Sequence, residues 1–567
     1  MSGQGEPARV IAELAHGGHA VRDLHDDERE MIAEQGTATP LSAVVQAEPA
    51  VAAEVATTRF DYLFRRFADE FPQHHLPNDD PDAVVDALTT LGRAMVEQDP
   101  AGDDGNSPIP PIFTYWGQFL DHDLTANTDR DSEVSDITRR PLVPLDPKVV
   151  TEKLANLRHP SLNLDSVYGD GPFAVTDPAA EEFVPYDGIK FRLGRAAVGP
   201  DIPGVRIPPI HDLARDLPRN AARTALIGDH RNDENLVVAQ LHVAFLRFHN
   251  EAVDWVRANE PDRVSDGEVF LRARDLLRWT FQWVVVHDFL RTVTADLVVD
   301  QVLTADQDRL QLPTRGLYMP LEFSVAAYRF GHSMVRGAYD WNRNFGRPGN
   351  VIANAPFALL FRFTGKARPP FGDENLESLP FNWIAEWDRM VDPNSPLADR
   401  FARRIDTVLA PPLHDMANEI GGLPPETPDE IEEVLKRLAV RNLLRGYLLA
   451  MPTGQAVAGT LGVAPLTEEE LTSGDPGVAQ ALRDGGFVER TPLWFYVLKE
   501  SEVRARGNTL GEVGSRIVAE TIIAQLRHDP GSFLHQASWS PAQGVRLRDG
   551  SPVRSIADFL RFAGVLA

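Results

Sequence analysis

Apolar residues recur at spacings of three and four along much of this chain, whereas the strict alternation of a half-buried strand is scarce. Residues 236–256 keep such a pattern over several turns, which is typical of an amphipathic helix. A second pattern covers residues 431–449, and the Thr-Pro-Asp-Glu sequence at residues 427–430 is typical of a capped helix start. These patterns predict a mainly α fold with little β structure.

Prolines divide the helical patterns into short pieces. Many of the 44 prolines stand in connectors such as PIPPIF, IPGVRIPPI and GLPPETP, and a proline within a helix removes a backbone donor. We therefore expect many helices joined by long irregular loops. Because no internal repeat divides the chain, residues 56–567 are expected to form a single large domain. Residues 1–55 are polar and weakly periodic, which predicts a flexible or loosely docked extension.

Composition and charge exclude several classes of function. The 567 residues are 43% hydrophobic and 25% charged, and 83 acidic against 56 basic side chains give a net charge of -27. Such a surface repels phosphate backbones, so we expect no nucleic-acid partner. The chain has no cysteine, which excludes disulfides, iron–sulfur clusters and thiolate-ligated haem. Any metal must therefore be held by histidine, carboxylate or carbonyl groups.

The N-terminal sequence MSGQGEPARVIAEL lacks the basic and then apolar run of a secretory signal. No segment approaches the ~18 uninterrupted apolar residues of a membrane helix, so no membrane span is expected. By default the protein is expected to be cytoplasmic, with non-classical secretion left open. The sequence does not indicate an oligomeric state.

The first candidate motif is the sequence WGQFLDHD at residues 116–123. On a helix, Gln118, Asp121 and His122 stand at positions i, i+3 and i+4 and therefore share one face. Asp123 lies about 100° away from His122 around the helix. Three polar groups on an otherwise aromatic and aliphatic segment are costly unless they line a cavity or bind a ligand. The alternative is the polar end of a surface helix.

The second motif is the sequence GDHRNDEN at residues 228–235, directly before the first helical pattern. Arg231 and Glu234 lie three residues apart, and Asn232 or Asp233 can cap the following helix. A capping segment with solvated charges is the alternative to a catalytic role.

The third motif is the sequence YRFGHSM at residues 328–334, followed by Arg336. Helical spacing predicts that Arg329, His332 and Arg336 share one stripe, where the two arginines would disfavour protonation of the histidine. A neutral imidazole is the form that binds iron. The alternative is a core histidine with satisfied hydrogen bonds.

The fourth motif is the sequence RNLLRG at residues 441–446, within the second helical pattern. Asn442 and Arg445 stand at positions i and i+3 among leucines, so both are expected to point inward. A buried asparagine requires hydrogen-bond partners.

Together the four motifs resemble the animal haem peroxidase family of the peroxidase–cyclooxygenase superfamily, which includes myeloperoxidase, lactoperoxidase and a bacterial, peroxinectin-like branch. The resemblance extends from about Arg59 to the C-terminus, and the strings GQFLDHD and YRFGH, in this order, carry most of it. It implies one haem b per chain. It also implies that His122 is the distal histidine, that Gln118 is its distal neighbour and that Arg231 is the distal arginine.

The same resemblance implies how the chain holds the haem. His332 matches the proximal iron ligand, and Asn442 matches the asparagine that accepts the other N–H of that histidine. Arg329 and Arg445 match positions that pair with the haem propionates.

Family members can form ester bonds to haem methyl groups, and the matching residues here are Asp121 and Glu234. A sulfonium bond requires a methionine directly after that glutamate. Because Asn235 stands there, this third bond is expected to be absent.

The family also has a calcium site, which the resemblance places at the aspartate after the distal histidine and at the loop of residues 159–169. The expected ligand set is Asp123, His159, Ser161 through its carbonyl, Asn163 and Asp165. Threonine is usual in the family at position 159 and aspartate is common at position 163, so fewer charged oxygens are available here and calcium binding should be weaker.

The resemblance implies a reaction in which hydrogen peroxide oxidises the haem to a ferryl state. Electrons then return from a small donor, which is either a halide or thiocyanate or a phenolic compound. His122 would move the peroxide proton, and Arg231 would stabilise the charge that develops as the O–O bond breaks.

Three alternative functions would require different residues. A fatty-acid dioxygenase of the same superfamily carries a radical-forming tyrosine three residues before the proximal histidine, where this chain has Arg329. A metal-dependent phosphohydrolase would use the His-Asp pairs that begin at His122, His287, His414 and His528. A non-enzymatic interaction module would require loss of the distal residues, which are present.

Overall fold

A computed structural model of the protein describes residues 9–13, 19–23, 58–99, 102–126, 133–169, 184–197, 212–305, 318–346, 350–353, 355–367, 378–416 and 427–567. About 51% of the structure is helical and only 8% is strand. The predicted mainly α fold is therefore confirmed.

The α-helices of the first half of the chain are α1 (Arg65–Asp69), α2 (Pro81–Ala94), α3 (Ile112–Leu124), α4 (Pro147–Lys153), α5 (Asp165–Tyr168), α6 (Leu236–Asn259), α7 (Asp266–Val284), α8 (Leu290–Val293) and α9 (Val298–Thr304). Those of the second half are α10 (Asp388–Val391), α11 (Asp429–Lys436), α12 (Leu438–Leu448), α13 (Gly454–Leu461), α14 (Glu468–Leu471), α15 (Pro476–Asp484), α16 (Leu493–Arg504), α17 (Glu512–His528) and α18 (Ile556–Phe562).

The strands are short, with two to five residues each. They are β1 (Arg9–Glu13), β2 (His19–Asp23), β3 (Thr58–Asp61), β4 (Ala155–Asn156), β5 (Tyr186–Asp187), β6 (Lys190–Phe191), β7 (Tyr318–Pro320), β8 (Phe345–Gly346) and β9 (Ile352–Ala353). Strand β3 is central in a three-stranded sheet of order β4-β3-β7, antiparallel to β4 and parallel to β7. In this sheet, β3 near the start of the helical body pairs with β7, which directly precedes the segment that ends at His332.

Helix α6, which confirms the first helical pattern, is the centre of the core. Sixteen of its residues are buried, and the Phe245 ring stacks on Phe119 of α3 with centroids 4.2 Å apart. The helix begins after Asn235, whose Oδ1 accepts a hydrogen bond from the Val238 N–H at 3.1 Å. The expected cap at position 232 or 233 is therefore wrong, because both of those side chains bond elsewhere.

The second helical pattern forms two helices instead of one. Arg437 adopts extended geometry (φ -100°, ψ 104°) between α11 and α12. Its guanidinium donates to the Glu433 carbonyl at 2.9 Å, which satisfies one of the carbonyls left free at the end of a helix. Helix α11 begins at Asp429, within the predicted Thr-Pro-Asp-Glu segment, and Pro428 occupies its N-cap position.

His332 stands at the end of irregular helix rather than on an α-helix. A π-helix (Glu322–Ala326) leads into a 3₁₀ helix (Ala327–His332). With three residues per turn, positions three apart lie directly above one another, so Arg329 and His332 keep a common side. Arg336 lies beyond the helix and donates to the Phe401 carbonyl at 2.9 Å, so the expected stripe of three residues is wrong at its last member.

Strands β1 and β2 pair antiparallel within the predicted N-terminal extension. The rest of residues 1–55 lie outside the described residues, so the extension and its boundary remain predictions. No described helix combines the length and the apolar character that a bilayer crossing requires.

Helices α2 and α12 pack at a glycine, which generates a first prediction. A Cβ at Gly92 would stand 2.7 Å from Val440 Cγ2 and 2.8 Å from its backbone nitrogen. Since backbone atoms cannot move aside, Gly92→Ala should lower the free energy of unfolding by about 1–2 kcal/mol, despite the helix preference of alanine. Urea unfolding followed by circular dichroism measures this change.

The matched control is Gly459→Ala in α13, where a Cβ meets nothing within 4 Å. This substitution should raise the free energy of unfolding by about 0.5–1 kcal/mol. Equal effects of the two substitutions would show that the α2–α12 contact is not as tight as described.

Candidate functional site

Two of the predicted histidines line one cavity from separate parts of the chain. The cavity has a volume of about 220 Å³, and α3 and the 3₁₀ helix that ends at His332 both contribute to its wall. The predicted site residues that line it are Gln118, Asp121, His122, Arg231, Glu234, Arg329 and His332. The apolar part of its wall includes Phe113, Phe289, Tyr328, Phe330, Val335, Phe357, Phe361 and Leu438.

The His122 ring is buried and held by an amide. Its Nδ1 lies 2.9 Å from Asn232 Oδ1, and Asn232 Nδ2 lies 3.0 Å from His242 Nδ1 on α6. Burial, aided by the nearby Arg231 cation, lowers the pKa of His122 to about 3. At neutral pH the ring is therefore uncharged and can accept a proton.

A cluster of the buried Asp229 and Arg158 with the partly buried Arg231 holds the backbone beside His122. Arg231 donates from its terminal NH2 to Asp229 Oδ2 at 2.7 Å and to the His122 carbonyl at 3.0 Å. Arg158 donates from Nε to Asp229 Oδ2 at 3.1 Å and to the same His122 carbonyl at 3.2 Å. Burial alone would raise the pKa of the Asp229 carboxyl, but the two guanidinium groups hold it well below its usual value.

The two carboxylates expected to bond to haem both stand on the cavity wall. Gln118 bridges the second motif, because its Nε2 donates to Glu234 Oε2 at 3.3 Å and its Oε1 accepts from Asn235 Nδ2 at 3.0 Å. Asp121 Oδ1 accepts from the Thr125 hydroxyl at 2.9 Å. These contacts place Asp121 and Glu234 at fixed positions along the same cavity.

The partner of His332 differs in one respect from the expectation. Asn442 is fully buried, and its amide Nδ2 lies 2.9 Å from His332 Nδ1. The Asn442 oxygen faces Arg329 instead and accepts from that guanidinium at 2.9 Å. Because arginine can only donate, this bond turns the amide so that its NH2 group, not its oxygen, faces the histidine.

Arg445 is buried and does not belong to the lining of the cavity. Arg441, one turn earlier on α12, lines it. The helix therefore presents Arg441 at the cavity, a residue of the fourth motif to which no role was assigned from the sequence.

The predicted calcium loop encloses Asp123, whose side chain is fully buried. Its Oδ2 accepts from the Leu164 N–H at 3.1 Å, and its Oδ1 accepts from the Ser166 hydroxyl at 2.7 Å. Leu162 and Leu164 both adopt left-handed backbone conformations, with φ of 55° and 64°. Such conformations are strained for leucine, so the surrounding contacts hold the loop against its local preference.

The remaining residues of the loop surround a second carboxylate. The Asp165 Oδ2 accepts from the His159 N–H at 3.3 Å, while its Oδ1 is buried without a hydrogen-bond partner. The Asn163 oxygen accepts from the Asp165 N–H at 3.1 Å, and the Ser161 hydroxyl lies 2.7 Å from His159 Nδ1. Burial, and then the charge of Asp165, raises the pKa of Asp123 to about 7.

Within the described parts of the chain, no three histidine or carboxylate side chains come together as a metal cluster. The His-Asp pairs that suggested a metal-dependent phosphohydrolase therefore do not converge there. The loop around Asp123 differs from such a cluster because its expected ligands include an amide and a backbone carbonyl.

The residues of the cavity fit a haem. The wall combines aromatic and aliphatic side chains, which suit a flat apolar macrocycle, with the cations Arg329 and Arg441, which suit its propionates. A Cβ at Gly331, next to His332, would meet nothing within 4 Å, so the approach to the histidine is not obstructed there.

Sequence reasoning did not assign roles to four residues that hold the site, namely Arg158, Asp229, Asn232 and His242. Asp229 and Asn232 flank Arg231 in the second motif, so their position next to a predicted site residue could have indicated that they belong to the site. Arg158 and His242 carried no such signal, because only the folded chain brings them to His122.

Comparison with known proteins supports the same family. Residues 192–358 match the family model described as animal haem peroxidase. The chain is 32% identical over 132 residues to a peroxidase-like protein of Margaritifera margaritifera, covering 22% of this chain and 16% of that protein. It is 23% identical over 291 residues to myeloperoxidase of Mus musculus, covering 44% of this chain and 39% of that protein.

A solved structure, peroxidase A from Dictyostelium discoideum, aligns with 90% of this chain and 94% of its own length. The TM-score is 0.54 and the sequence identity is 15%, a likeness that shows the fold. This chain therefore has the fold of that peroxidase, and His122 and His332 line one cavity within it. Over residues 192–358, the family match confirms the resemblance to the animal haem peroxidases that the motifs indicate.

Proposed function

We propose that this chain is a haem peroxidase that reduces hydrogen peroxide and oxidises a small electron donor. One observation carries the proposal: His122 and His332, more than two hundred residues apart, line the same cavity together with Gln118 and Arg231. A haem enzyme needs two such histidines at one partly apolar cavity, because one ring binds the iron and the other transfers the proton.

Haem b would be held by His332 at the iron and by the apolar wall around the macrocycle, with Arg329 and Arg441 near its propionates. Bound there, it would supply the redox-active iron that peroxide oxidises. Asn442 contacts His332 Nδ1 and would orient the ring. Because Nε2 must be bare to bind iron, Nδ1 would carry the ring proton in the haem-loaded chain, and the Asn442 amide would then have to turn its oxygen toward His332.

The distal residues supply proton transfer and charge. His122 is neutral at physiological pH and can take a proton from peroxide, then return it to the departing oxygen as water. Arg231 is fixed by Asp229 at the edge of the cavity, so its positive charge can stabilise negative charge on the peroxide oxygens without reorganisation. Gln118, held by Asn235, can position the peroxide by hydrogen bonding.

The donor would be a halide, thiocyanate or a small phenol, since the aromatic side chains of the wall can pack against a phenolic ring. The haem-loaded chain should show a Soret band and oxidise at least one of bromide, iodide, thiocyanate or guaiacol when peroxide is added. Oxygen uptake with a fatty acid, in the absence of peroxide-driven oxidation of these donors, would favour the dioxygenase instead.

A second prediction concerns His122. The substitution His122→Ala removes the proposed base but keeps His332, so the variant should bind haem normally. Its reaction with peroxide should be roughly 10²–10⁴-fold slower. Stopped-flow absorbance of the Soret band measures the rate. His528→Ala, at the end of α17 and outside the cavity, is the control and should react at the wild-type rate. An unchanged rate in His122→Ala would remove this residue from the reaction.

A calcium ion is proposed in the loop around Asp123. The fully buried Asp123, a buried Asp165 oxygen without a partner and two strained leucines support it, because a cation would relieve the repulsion between the carboxylates and offset the strain of the loop. Asp123, Asn163, Asp165 and the Ser161 carbonyl would supply oxygen ligands. His159 would contribute only through its contact with Ser161.

The third prediction is that calcium stabilises the chelator-treated chain. At a free concentration 100 times the dissociation constant, stabilisation should approach about 2.7 kcal/mol, seen as a higher Tm in differential scanning calorimetry. Asp165→Asn should weaken this response, whereas Asp187→Asn, on the exposed strand β5, should not. A Tm that is independent of millimolar calcium would contradict the proposed ion.

Ester bonds from Asp121 and Glu234 to the haem are proposed from their positions on the cavity wall, and they give the fourth prediction. After turnover with peroxide, part of the haem should stay with the protein during acid–acetone extraction. The double variant Asp121→Ala, Glu234→Ala should release all of it. Complete extraction from the wild-type chain would show that the esters do not form.

A further inference from the structure

Two buried imidazoles share one amide beside the cavity. His122 Nδ1 lies 2.9 Å from the Asn232 oxygen, and His242 Nδ1 lies 3.0 Å from the Asn232 nitrogen. Asn232 and His242 are both fully buried, and His122 is 5% exposed. Asn232 is therefore not the helix cap that its sequence position suggested, but a bridge between α3 and α6.

The chemistry of an amide fixes the proton on each ring. A neutral imidazole has one N–H donor and one acceptor nitrogen, whereas an amide oxygen only accepts and an amide NH2 only donates. His122 must therefore carry its proton on Nδ1 to bond the Asn232 oxygen. By the same argument, His242 must present a bare Nδ1 to the Asn232 nitrogen and carry its proton on Nε2.

The bridge makes the two tautomers dependent on each other. In the described part of the chain, His242 Nε2 is buried and has no hydrogen-bond partner, so Asn232 alone decides where the proton of that ring lies. If the amide turned over, both rings would have to change tautomer together, and His122 would then hold its proton on Nε2.

We propose that Asn232 and His242 are positioning residues that lock His122 in the Nδ1–H tautomer and thereby keep its Nε2 as a free base. The importance of this lock for catalysis rests on the proposed peroxidase function, since only a bare nitrogen can take the proton of peroxide. The lock itself is a property of the folded chain and needs no ligand.

The test uses the full chain labelled with ¹⁵N-histidine at pH 8, in which long-range ¹H–¹⁵N correlation spectra distinguish the two tautomers of a ring. The His122 and His242 signals are assigned from His122→Gln and His242→Gln. In the wild-type chain, we expect His122 in the Nδ1–H form and His242 in the Nε2–H form.

Three variants distinguish control of the His122 tautomer by Asn232 from a general effect of packing. Asn232→Leu removes the bridge, so His122 should show a mixture of tautomers. Asn232→Asp keeps an acceptor for both rings, so His122 should remain Nδ1–H while His242 changes to Nδ1–H. The control is His249→Gln on the same helix: its ring bonds Tyr168 and the Ile189 carbonyl, and its loss should leave both tautomers unchanged.

In the haem-loaded chain, Asn232→Leu should slow the reaction with peroxide tenfold or more, and Asn232→Asp should restore much of the rate. His122 in the Nε2–H form in the wild-type chain, or an unchanged His122 tautomer in Asn232→Leu, would overturn the proposal. If the tautomers are as expected but the wild-type chain does not react with peroxide, the proposed function fails and the lock stands.

Discussion

The contact of Asp229 with the buried Arg158 and the partly buried Arg231 is the constraint on which the His122 side of the cavity depends. Arg158 and Arg231 both donate to this carboxylate and then to the carbonyl of His122. Removing Asp229 would leave the two guanidinium groups without a counter-charge, which costs several kcal/mol. Hydrogen bonds from the two arginines therefore hold the backbone at the end of α3. Asn232 holds the imidazole of His122.

The same short stretch of chain connects the three proposed elements of function. Asp121, His122 and Asp123 are consecutive on α3, and helical geometry turns the first two toward the cavity and the third toward the loop of residues 161–166. Arg158 stands at the entrance to that loop and contacts His122. A change in the loop would consequently reach His122 by two routes, the peptide bond to Asp123 and the guanidinium group of Arg158.

Much of the fold and part of the site could be predicted from the sequence. The period of apolar residues predicted α6, because a helix buried along one side must repeat with that spacing. It did not predict the break at Arg437, since a single residue that leaves helical geometry does not disturb the pattern. Nor did it predict the 3₁₀ geometry before His332, because Arg329 and His332 share a side in either kind of helix.

In the site, the motifs indicated the side chains that face the cavity but not the groups behind them. Asn232 was visible only as a capping residue and Asp229 only as a member of the second motif, since their partners His122 and Arg158 are far away in the chain. The orientation of Asn442 could not be predicted either, because it depends on which of two neighbours, Arg329 or His332, faces its oxygen. Long-range hydrogen bonds of this kind are decided by tertiary packing alone.

The central claim is that His122 and His332 face each other across one haem. The most direct measurement is a crystal structure of the haem-loaded chain. We expect the macrocycle in the cavity, the iron bonded to Nε2 of His332, and the ring of His122 on the opposite face. Iron bonded to His122 or to another residue, or haem bound outside the cavity, would contradict the account.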